Sequence, residues 1–363
     1  MVDSGWLMGH SRRQFVRTLS GAAVSLVAGA VGGGAGRSAA PPAAPVIDFH
    51  VHLFGIGDGN TGCRLSQKQR RHVNFRYFLK LLKLSENGRL DQDYVERLAS
   101  QVRASSLKQV VLQAWDGRYD QAGRLDWEHT TSLYVPNDYL FKVVRQYPDL
   151  FIPCLSINPK RRDALDELDR GAALGARVVK VHPPTMDVDP SEARFRPFYR
   201  RCAQRKLMVM VHTGSEHAAD IVGLANCDPS KLVLALEEGC TVVAAHAGMT
   251  AFYDKEDFFP AFVKMARRYP NLYCDTAILG SMGRWRCLPR LQAAPEALAR
   301  AIHGSDFPFP PNALVFWHRL PPAALASLLA ERNLLERDYQ LKRALGLPEA
   351  VFTRGAKLLG VGA

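Results

Sequence analysis

Residues 46–52 read VIDFHVH, a short apolar run that contains two histidines, His50 and His52. Side chains two residues apart on a strand share one face, so the two imidazoles should point the same way, about 7 Å apart. Seven further apolar runs follow, and several are separated by segments with apolar residues three or four positions apart, as in an amphipathic helix. The candidate strands are residues 46–54, 109–116, 151–159, 177–184, 207–214, 241–248, 271–279 and 301–307.

The alternation of strands and helices predicts an α/β fold with a parallel sheet, and eight such units predict closure into a (β/α)8 TIM barrel. A doubly wound open sheet is the alternative, but no glycine-rich dinucleotide-binding pattern follows the first strand. The insert at 55–87 is expected to form a long loop with a helix over the barrel mouth, and the tail at 323–359 to form helices packed outside the barrel. The sequence thus predicts one catalytic domain, residues 46–363.

The N-terminal region predicts export. Residues 11–17 read SRRQFVR and are followed by a weakly apolar run from Leu19 to Val31 and a stretch rich in Gly, Ala and Pro. This order, with Arg12 and Arg13 adjacent, resembles a Tat-type signal peptide. The apolar run is shorter than the roughly 20 residues of a membrane-spanning helix, so no stable membrane span is expected. We predict a signal peptide at 1–40, a Pro/Ala linker at 41–45, the Tat export machinery as a partner and a periplasmic location.

Charge and cysteine content argue against several classes of function. The formal net charge is +12, but the basic residues occur in short pairs such as Arg70 and Arg71, without clusters interleaved with aromatic residues. Nucleic-acid binding is therefore not expected. The seven cysteines form no CxxC pair, so the sequence indicates neither a thiolate zinc site nor a redox motif. A homodimer is compatible with the sequence, which gives no signal for or against it.

Polar residues also close four of the later strands. Lys180 and His182 end the fourth strand in VVKVHPP, His212 the fifth in MVMVHTG, His246 the sixth in VVAAHAG, and Asp306 the eighth in IHGSDFP. Active sites of (β/α)8 barrels lie at the carboxyl ends of the strands. Together with the histidine pair, His212 and Asp306 offer three nitrogens and one carboxylate, a set that suits zinc with an open position for water. The sequence therefore predicts a divalent metal centre at the barrel mouth.

These motifs resemble those of the amidohydrolase superfamily, and more narrowly of its amidohydrolase-related branch, which includes the aminocarboxymuconate semialdehyde and resorcylate decarboxylases. The resemblance covers roughly residues 46–360 and depends on the HxH pair, the histidines after strands five and six, and the sequence GSDFPFP at 304–310. It implies that His246 is a catalytic base or electrophile. It also implies that one divalent ion, with zinc favoured, is bound by His50, His52, His212 and Asp306.

Lys180 leaves a second arrangement open. In binuclear members of the superfamily a carbamylated lysine on strand four bridges two metal ions, and Lys180 has a similar VVKV context. If carbamylated, Lys180 would become a metal ligand and would place His212 and His246 on the second ion. The HAGM and GSDFPFP sequences resemble the single-metal branch, so one ion is favoured, although the chemistry permits two.

The metal centre predicts a hydrolase. A divalent ion lowers the pKa of bound water towards about 7 and polarises a carbonyl group, which permits cleavage of a C–N or C–O bond in an amide, ester or lactone. Asp306 would accept the water proton and pass it to the leaving group, and His246 would stabilise the oxyanion or act as an acid. The same residues could support a nonoxidative decarboxylase, a lyase in which His246 or Asp306 protonates a ring carbon. A metal-free barrel that only binds a ligand is the third alternative.

Residues in loops on the metal side of the barrel are candidates for substrate contact. These are Arg64, Trp115, His217 and Arg284. Arginine and aromatic side chains there suit a small anionic or aromatic substrate, and scattered surface and packing residues are the alternative interpretation. Glu216, which follows His212 closely, is a candidate for orienting a ligand imidazole.

Overall fold

The computed structural model describes residues 44–127 and 131–362; the predicted signal peptide at 1–40 and the first part of the linker lie outside the described residues. The strands are β1 Ile47–His52, β2 Arg64–Leu65, β3 Gln109–Gln113, β4 Leu133–Tyr134, β5 Phe151–Ser156, β6 Val178–Val181, β7 Met208–His212, β8 Val242–Ala245, β9 Leu272–Asp275 and β10 Ala301–Ile302. Eight of them form one parallel sheet in the order β1-β3-β5-β6-β7-β8-β9-β10. The segment after β10 closes the ring, because Phe49 N donates to His303 O and His52 N donates to Phe307 O. The predicted (β/α)8 TIM barrel is confirmed.

Helices connect the barrel strands, and β2 pairs with β4 in a small antiparallel sheet. The α-helices span Gln67–Arg71, Val73–Leu82, Leu90–Arg103, Asn137–Gln146, Ala164–Ala173, Pro183–Met186, Arg196–Gln204, Val233–Glu237, Phe259–Arg268, Cys287–Gln292, Pro295–Leu298, Pro322–Ala330, Leu334–Ala344 and Glu349–Leu359. Short 3-10 helices span Asp58–Asn60, Ala193–Phe195, Ala225–Cys227, Pro229–Leu232, His246–Gly248, Met282–Arg284 and Ala313–Arg319. Among the described residues, no helix combines the length and apolar character needed to cross a membrane.

The barrel lumen has an apolar floor beneath a polar layer. Every barrel strand except β9 contributes fully buried side chains to one apolar cluster. The cluster consists of Ile47, Phe49, Val111, Ile152, Cys154, Val178, Met208, Met210, Val243, Ala245, Ile302 and the helical residue Ala356. Lys180 follows Val178, and His212 follows Met210, at the two-residue spacing of one strand face. The same faces that build the floor therefore carry polar side chains nearer the carboxyl ends of the strands.

Strand β1 departs from regular alternation. Its register against β3 shifts between Asp48 and Val51, as at a β-bulge. Phe49 consequently packs in the apolar floor, while the adjacent His50 turns to Asp275 on β9. The bulge thus places an apolar residue and a polar residue, adjacent in sequence, in the same lumen.

The insert covers the mouth of the barrel together with part of the tail, and the last helix of the tail covers the opposite end. Within the insert, the helix Val73–Leu82 lines the cavity at the mouth with Phe75 and Phe78. In the tail, the helix Glu349–Leu359 packs against β1 and β10, which closes the floor at the amino ends of these strands. Gly355 permits this approach, because a Cβ there would lie 3.2 Å from the side chains of Phe49 and Ile302.

Candidate metal centre at the barrel mouth

The carboxyl ends of the strands surround one cavity of about 690 Å³. Each predicted metal-binding or catalytic side chain lies within the last three residues of a barrel strand or shortly after its end. The cavity is lined by His50, His52, Lys180, His212, His246 and Asp306. The topology thus brings together residues that are up to 256 positions apart in the sequence, as the numbers of His50 and Asp306 show.

Asp306 lies against both histidines of β1. The Oδ1 atom of Asp306 is 2.9 Å from His52 Nε2 and 3.4 Å from His50 Nε2. Burial by itself would raise the pKa of Asp306, but the neighbouring His50 and the hydrogen bond with His52 hold this pKa well below its usual range. A charged carboxylate oxygen and two imidazole nitrogens therefore converge at the base of the cavity.

Asp275, at the end of β9, fixes the orientation of His50. Its Oδ2 accepts a hydrogen bond from His50 Nδ1 over 2.8 Å, and its Oδ1 accepts from the backbone N–H groups of His246 and Ala277 over 2.9 and 3.1 Å. A carboxylate only accepts, so Nδ1 of His50 carries a proton, and in the neutral form that a metal ion requires the lone pair is on Nε2. Sequence reasoning missed Asp275, although LYCD at 272–275 places a carboxylate at a strand end, the signal that identified the other residues.

His246 is held as a neutral imidazole. Its Nδ1 donates to the carbonyl oxygen of Ala277 over 3.1 Å, which leaves Nε2 as an acceptor. Burial lowers the pKa of His246 to about 3. The backbone of His246 has a φ of 63° and that of Asp306 a φ of 68°. Non-glycine residues in this left-handed region carry a cost of about 1–3 kcal/mol each, and such residues cluster at functional sites.

Lys180 lies beside the first of the β1 histidines. Its Nζ is 3.4 Å from His50 Nε2 and 3.5 Å from Met210 Sδ. Burial lowers the pKa of Lys180, and the carboxylates of Asp275 and Asp306 oppose this effect. The position of Lys180 within the polar layer agrees with the strand register, since it faces the same lumen as Val178.

His212 packs against two other histidines. The centroid of its ring is 4.2 Å from that of His182 and 4.8 Å from that of His246. Its Nδ1 is 3.9 Å from Glu216 Oε2, too far for a hydrogen bond, and its buried Nε2 has no hydrogen-bond partner within the described ranges. Burial lowers the pKa of His212 well below its usual value. An unpartnered buried nitrogen is costly, so His212 is available to a ligand.

The donor set fits a divalent transition-metal ion. One ligand atom from each of His50, His246 and Asp306 lies within 4.8 Å of the others, and His52 is hydrogen-bonded to the same carboxylate. Burial lowers the pKa of His52 to about 4, so its imidazole is neutral at pH 7. Neutral imidazoles and a charged carboxylate are the protonation states that metal binding requires, and zinc prefers these ligand types.

The predicted substrate contacts Trp115 and His217 both line the cavity. Trp115 is buried, and its ring centroid lies 5.4 Å from that of His52 and 4.5 Å from that of His182. His217 lies at the cavity wall, half exposed, with its Nε2 3.1 Å from Asp254 Oδ1. The structure therefore places an indole beside the candidate ligands and an ionisable ring nearer the solvent.

The two predicted arginine contacts are engaged elsewhere. Arg284 lines the cavity, but its guanidinium group donates to the carbonyl oxygens of Met249 and Ser215 over 2.5 and 2.6 Å. These bonds tie together the loops after β7 and β8. Arg64 is exposed on β2, where its guanidinium stacks over Trp127 at 5.0 Å, and it is not among the residues that line the cavity. The structure does not bring Arg64 to the site.

The outer part of the cavity is apolar. Its wall comes from the insert, from the loop after Asp306 and from the tail helix Pro322–Ala330. The side chains concerned are Phe54, Phe75, Phe78, Leu81, Phe309, Leu328 and Leu329. A ligand that reaches the polar base must therefore pass an aromatic and aliphatic wall.

A buried ion pair supports the backbone just before Asp306. Lys342, on the tail helix Leu334–Ala344, donates to the carbonyl oxygen of Gly304 over 2.7 Å and also to Asp338 Oδ2. Both charged side chains are fully buried, and burial raises the pKa of Asp338 to about 7 although Lys342 opposes this effect. The tail helix thus holds the segment that carries the candidate carboxylate ligand.

Fold and site together define a (β/α)8 barrel with histidines and an aspartate at its mouth. The chain belongs to the amidohydrolase family: the family profile described as Amidohydrolase matches residues 47–332. Members of the amidohydrolase superfamily are enzymes that bind divalent metal ions, and the His/Asp groups of this chain are placed to do so. No curated protein matches the sequence.

Several solved structures share the fold. An uncharacterized TIM-barrel protein from Bordetella bronchiseptica is 20% identical over 83% of this chain and 99% of that chain, with a TM-score of 0.53. A 5-carboxyvanillate decarboxylase from Sphingomonas paucimobilis is 13% identical over 87% and 99% of the two chains, with a TM-score of 0.50. An amidohydrolase from Burkholderia multivorans with bound zinc is 13% identical over 88% and 100%, also with a TM-score of 0.50. At these identities the similarity shows the fold alone.

Proposed function

We propose that the protein is a metal-dependent hydrolase that cleaves a C–N or C–O bond in a small aromatic or anionic substrate. The observation that carries the proposal is the convergence of His50 Nε2 and His52 Nε2 on Asp306 Oδ1, within 3.4 Å, at the base of the cavity. We propose zinc as the ion, since imidazole and carboxylate are among its usual ligands. Bound zinc in the amidohydrolase from Burkholderia multivorans is consistent with this choice.

The four predicted ligands, His50, His52, His212 and Asp306, would hold this ion. The buried Nε2 of His212 has no hydrogen-bond partner among the described residues that would compete with the ion. When bound, a divalent ion supplies Lewis acidity, which favours deprotonation of water near neutral pH and polarises a carbonyl group. Asp306 can accept a proton at the base of the cavity and return it to a leaving group. Asp275 accepts a hydrogen bond from His50 Nδ1, and this bond would leave the Nε2 lone pair of His50 for the ion.

His246 is better placed as a base than as an electrophile. Its Nδ1 proton is engaged by Ala277 O, so the neutral ring has no second proton to donate to a substrate oxygen. The Nε2 lone pair remains, and it can accept a proton from water or from a substrate. The burial that lowers the pKa of His246 keeps the ring in this acceptor form at neutral pH.

The walls of the cavity support an aromatic substrate. Trp115 lies against the candidate ligand His52, and Phe75, Phe78 and Phe309 face the same space. Aromatic side chains favour aromatic ligands through stacked or edge-on contacts worth about 0.5–1.5 kcal/mol each beyond area burial. With both predicted arginines engaged by other groups, a bound ion would supply positive charge at the base of the cavity.

A reaction panel with chelator-treated and zinc-reconstituted protein tests the proposal. Aryl amides, aryl esters and lactones should yield amine, alcohol or ring-opened acid only in the presence of metal. Asp306→Asn and His246→Asn should each lower kcat by about 10²–10⁴-fold, the usual contribution of a general acid or base. Asp257→Asn is the matched control, because Asp257 is exposed and paired with Arg290.

Two outcomes would contradict this function in different ways. Release of carbon dioxide from hydroxylated aromatic acids, without hydrolysis of any panel member, would identify the decarboxylase alternative, which uses the same residues. Full activity of the chelator-treated protein would show that no ion takes part.

We also propose that the Tat machinery exports the protein to the periplasm. The support is the sequence alone, with its SRRQFVR segment at 11–17. A tagged full-length chain should be recovered from the periplasmic fraction, and replacement of Arg12 and Arg13 by lysine should retain it in the cytoplasm. Equal periplasmic recovery of both forms would refute the proposal.

A further inference from the structure

One cationic side chain lies in the otherwise apolar outer part of the cavity. Arg337, in the tail helix Leu334–Ala344, is half-buried and lines the cavity. Tyr77, on the insert helix Val73–Leu82, also lines the cavity and is close enough to influence the pKa of Arg337. Because the side chain of Tyr77 is 50% exposed, this region is the solvent side of the cavity. The tail therefore contributes an arginine to the mouth of the barrel.

The backbone holds the guanidinium group of Arg337 along one edge. Its Nε donates to the carbonyl oxygen of Glu331 over 2.8 Å, and its Nη2 donates to the same oxygen. Glu331 follows the helix Pro322–Ala330, so this carbonyl oxygen lies at a helix end. A guanidinium has five N–H bonds, and the three that remain include the outward pair on Nη1 and Nη2. Such a pair can bind both oxygens of a carboxylate at once.

The positive charge of Arg337 is not neutralised by an ion pair within the described residues. Both of its hydrogen bonds go to the carbonyl oxygen of Glu331. Burial lowers the pKa of Arg337, and the carboxylate of Glu331 opposes this effect from a distance, while Oε1 of that carboxylate accepts from Asn333 N over 2.7 Å. A partly buried cation without a paired anion favours the binding of an anionic ligand.

The carboxylates that line the cavity do not compete for Arg337. Among the described residues, the acidic side chains of the lining are Asp306 and Glu216. Each lies against a histidine: Asp306 Oδ1 is 2.9 Å from His52 Nε2, and Glu216 Oε2 is 3.3 Å from His182 Nε2. The negative charges of the cavity are thus at its histidine-rich base, whereas its outer wall carries the cation. An anionic group would be favoured at the outer end.

We propose that Arg337 binds a carboxylate at the end of the substrate that is remote from the reacting bond. The inference rests on the proposed hydrolase function. It narrows the substrate class to aromatic compounds with a hydrolysable C–N or C–O bond at one end and a carboxylate at the other. A cavity of about 690 Å³ is large enough to hold such a molecule whole. Arg337 would then make the anion contact that Arg64 and Arg284 were predicted to make.

Equilibrium binding to the full-length, zinc-free protein tests this contact without any reaction. The probes are ω-phenylalkanoates of increasing chain length, each paired with its neutral carboxamide, and isothermal titration measures their affinities. Wild type should bind at least one carboxylate about 10–100-fold more tightly than its carboxamide. Arg337→Gln should remove most of this preference. Arg337→Lys should keep part of it, because an ammonium group retains the charge without the two parallel donors.

Controls and kinetics complete the test. Arg343→Gln, on the same helix but not among the residues that line the cavity, should keep the full preference. Circular dichroism confirms that each variant is folded. In the zinc-loaded protein, a remote carboxylate on the aryl amides and esters of the reaction panel should lower KM. Arg337→Gln should raise KM for these substrates far more than it changes kcat, as expected for a group that does not touch the reacting bond.

The outcomes separate this contact from the proposed function. Equal affinity of wild type for carboxylates and carboxamides, or a preference that survives Arg337→Gln, would overturn the inference. A preference that is lost in Lys180→Met but kept in Arg337→Gln would overturn it by assigning the carboxylate to the base of the cavity. A preference lost in Arg337→Gln, together with no hydrolysis of any panel member, would support the contact and refute the hydrolase. Hydrolysis that is indifferent to a remote carboxylate would leave the hydrolase intact and overturn the contact.

Discussion

Replacement of Asp275 by asparagine should weaken metal binding because it changes the tautomer of His50, although His50 itself stays in place. In the structure Oδ2 of Asp275 accepts from His50 Nδ1 over 2.8 Å, and Oδ1 accepts from two backbone N–H groups. An asparagine can keep its oxygen on the backbone donors only by turning its NH2 group to His50 Nδ1. That donor needs an acceptor, so the proton of His50 would move to Nε2 and remove the lone pair that faces Asp306.

The size of the effect follows from the role of such hydrogen bonds in other metal sites. Loss of the group that orients a metal-binding histidine lowers affinity by about 10–100-fold, which corresponds to roughly 1.4–2.7 kcal/mol. Competition with a chelator of known zinc affinity measures the change in the Asp275→Asn protein. Asp257→Asn, an exposed aspartate paired with Arg290, is the control. Equal zinc affinity of the Asp275→Asn and wild-type proteins, both correctly folded, would refute the proposed part of Asp275 in fixing the His50 tautomer.

Three further predictions concern stability and substrate preference. Lys342→Met should lower the unfolding free energy by about 3–5 kcal/mol in chemical denaturation, because it leaves Asp338 buried without its partner. The double variant Lys342→Met/Asp338→Leu should recover most of this loss. A loss below about 1 kcal/mol in the single variant would contradict the prediction. Burial lowers the pKa of His246 from 6.5 to about 3, so the unfolded chain binds a proton more tightly than the folded one. The unfolding free energy of the metal-free protein should therefore fall by about 1.4 kcal/mol per pH unit, from this histidine alone, as the pH falls from 6.5 to about 4. A denaturation midpoint that does not change over that range would be inconsistent with a buried neutral ring. Trp115→Ala should raise KM for aromatic substrates more than for aliphatic ones in steady-state assays, and an equal rise for both would argue against stacking.

The polar layer could be predicted from the sequence because its signal is local. A histidine, lysine or aspartate in the last residues of an apolar strand, or shortly after them, lies at the carboxyl end of that strand, and parallel strands bring these ends together. His50, Lys180 and His212 lie within the last three residues of their strands, Asp306 lies four residues after β10, and the barrel brings all of them to one cavity. The rule needs only the order of residues along each strand, which the sequence contains.

Other features depend on contacts between distant segments. The bulge in β1 that sends Phe49 into the floor is a matter of register against β3, and nothing in VIDFHVH marks it. Whether an arginine faces substrate or backbone carbonyls is also decided by loop geometry, as Arg284 shows. The sequence also could not show that Glu216 lies closer to His182, at 3.3 Å, than to His212, at 3.9 Å, because His182 follows a different strand.

The closed floor of the barrel has a consequence for the order of events. Ala356 and the apolar cluster around it fill the lumen below the polar layer. Ions and organic molecules can therefore reach the base of the cavity only through the aromatic mouth. An ion held by His50 and His52 would therefore have to load before an organic molecule occupies that mouth, and it could not leave while the molecule stays. A molecule bound in the mouth should therefore slow the exchange of the ion with an external chelator, without any change in the ligands that hold the ion.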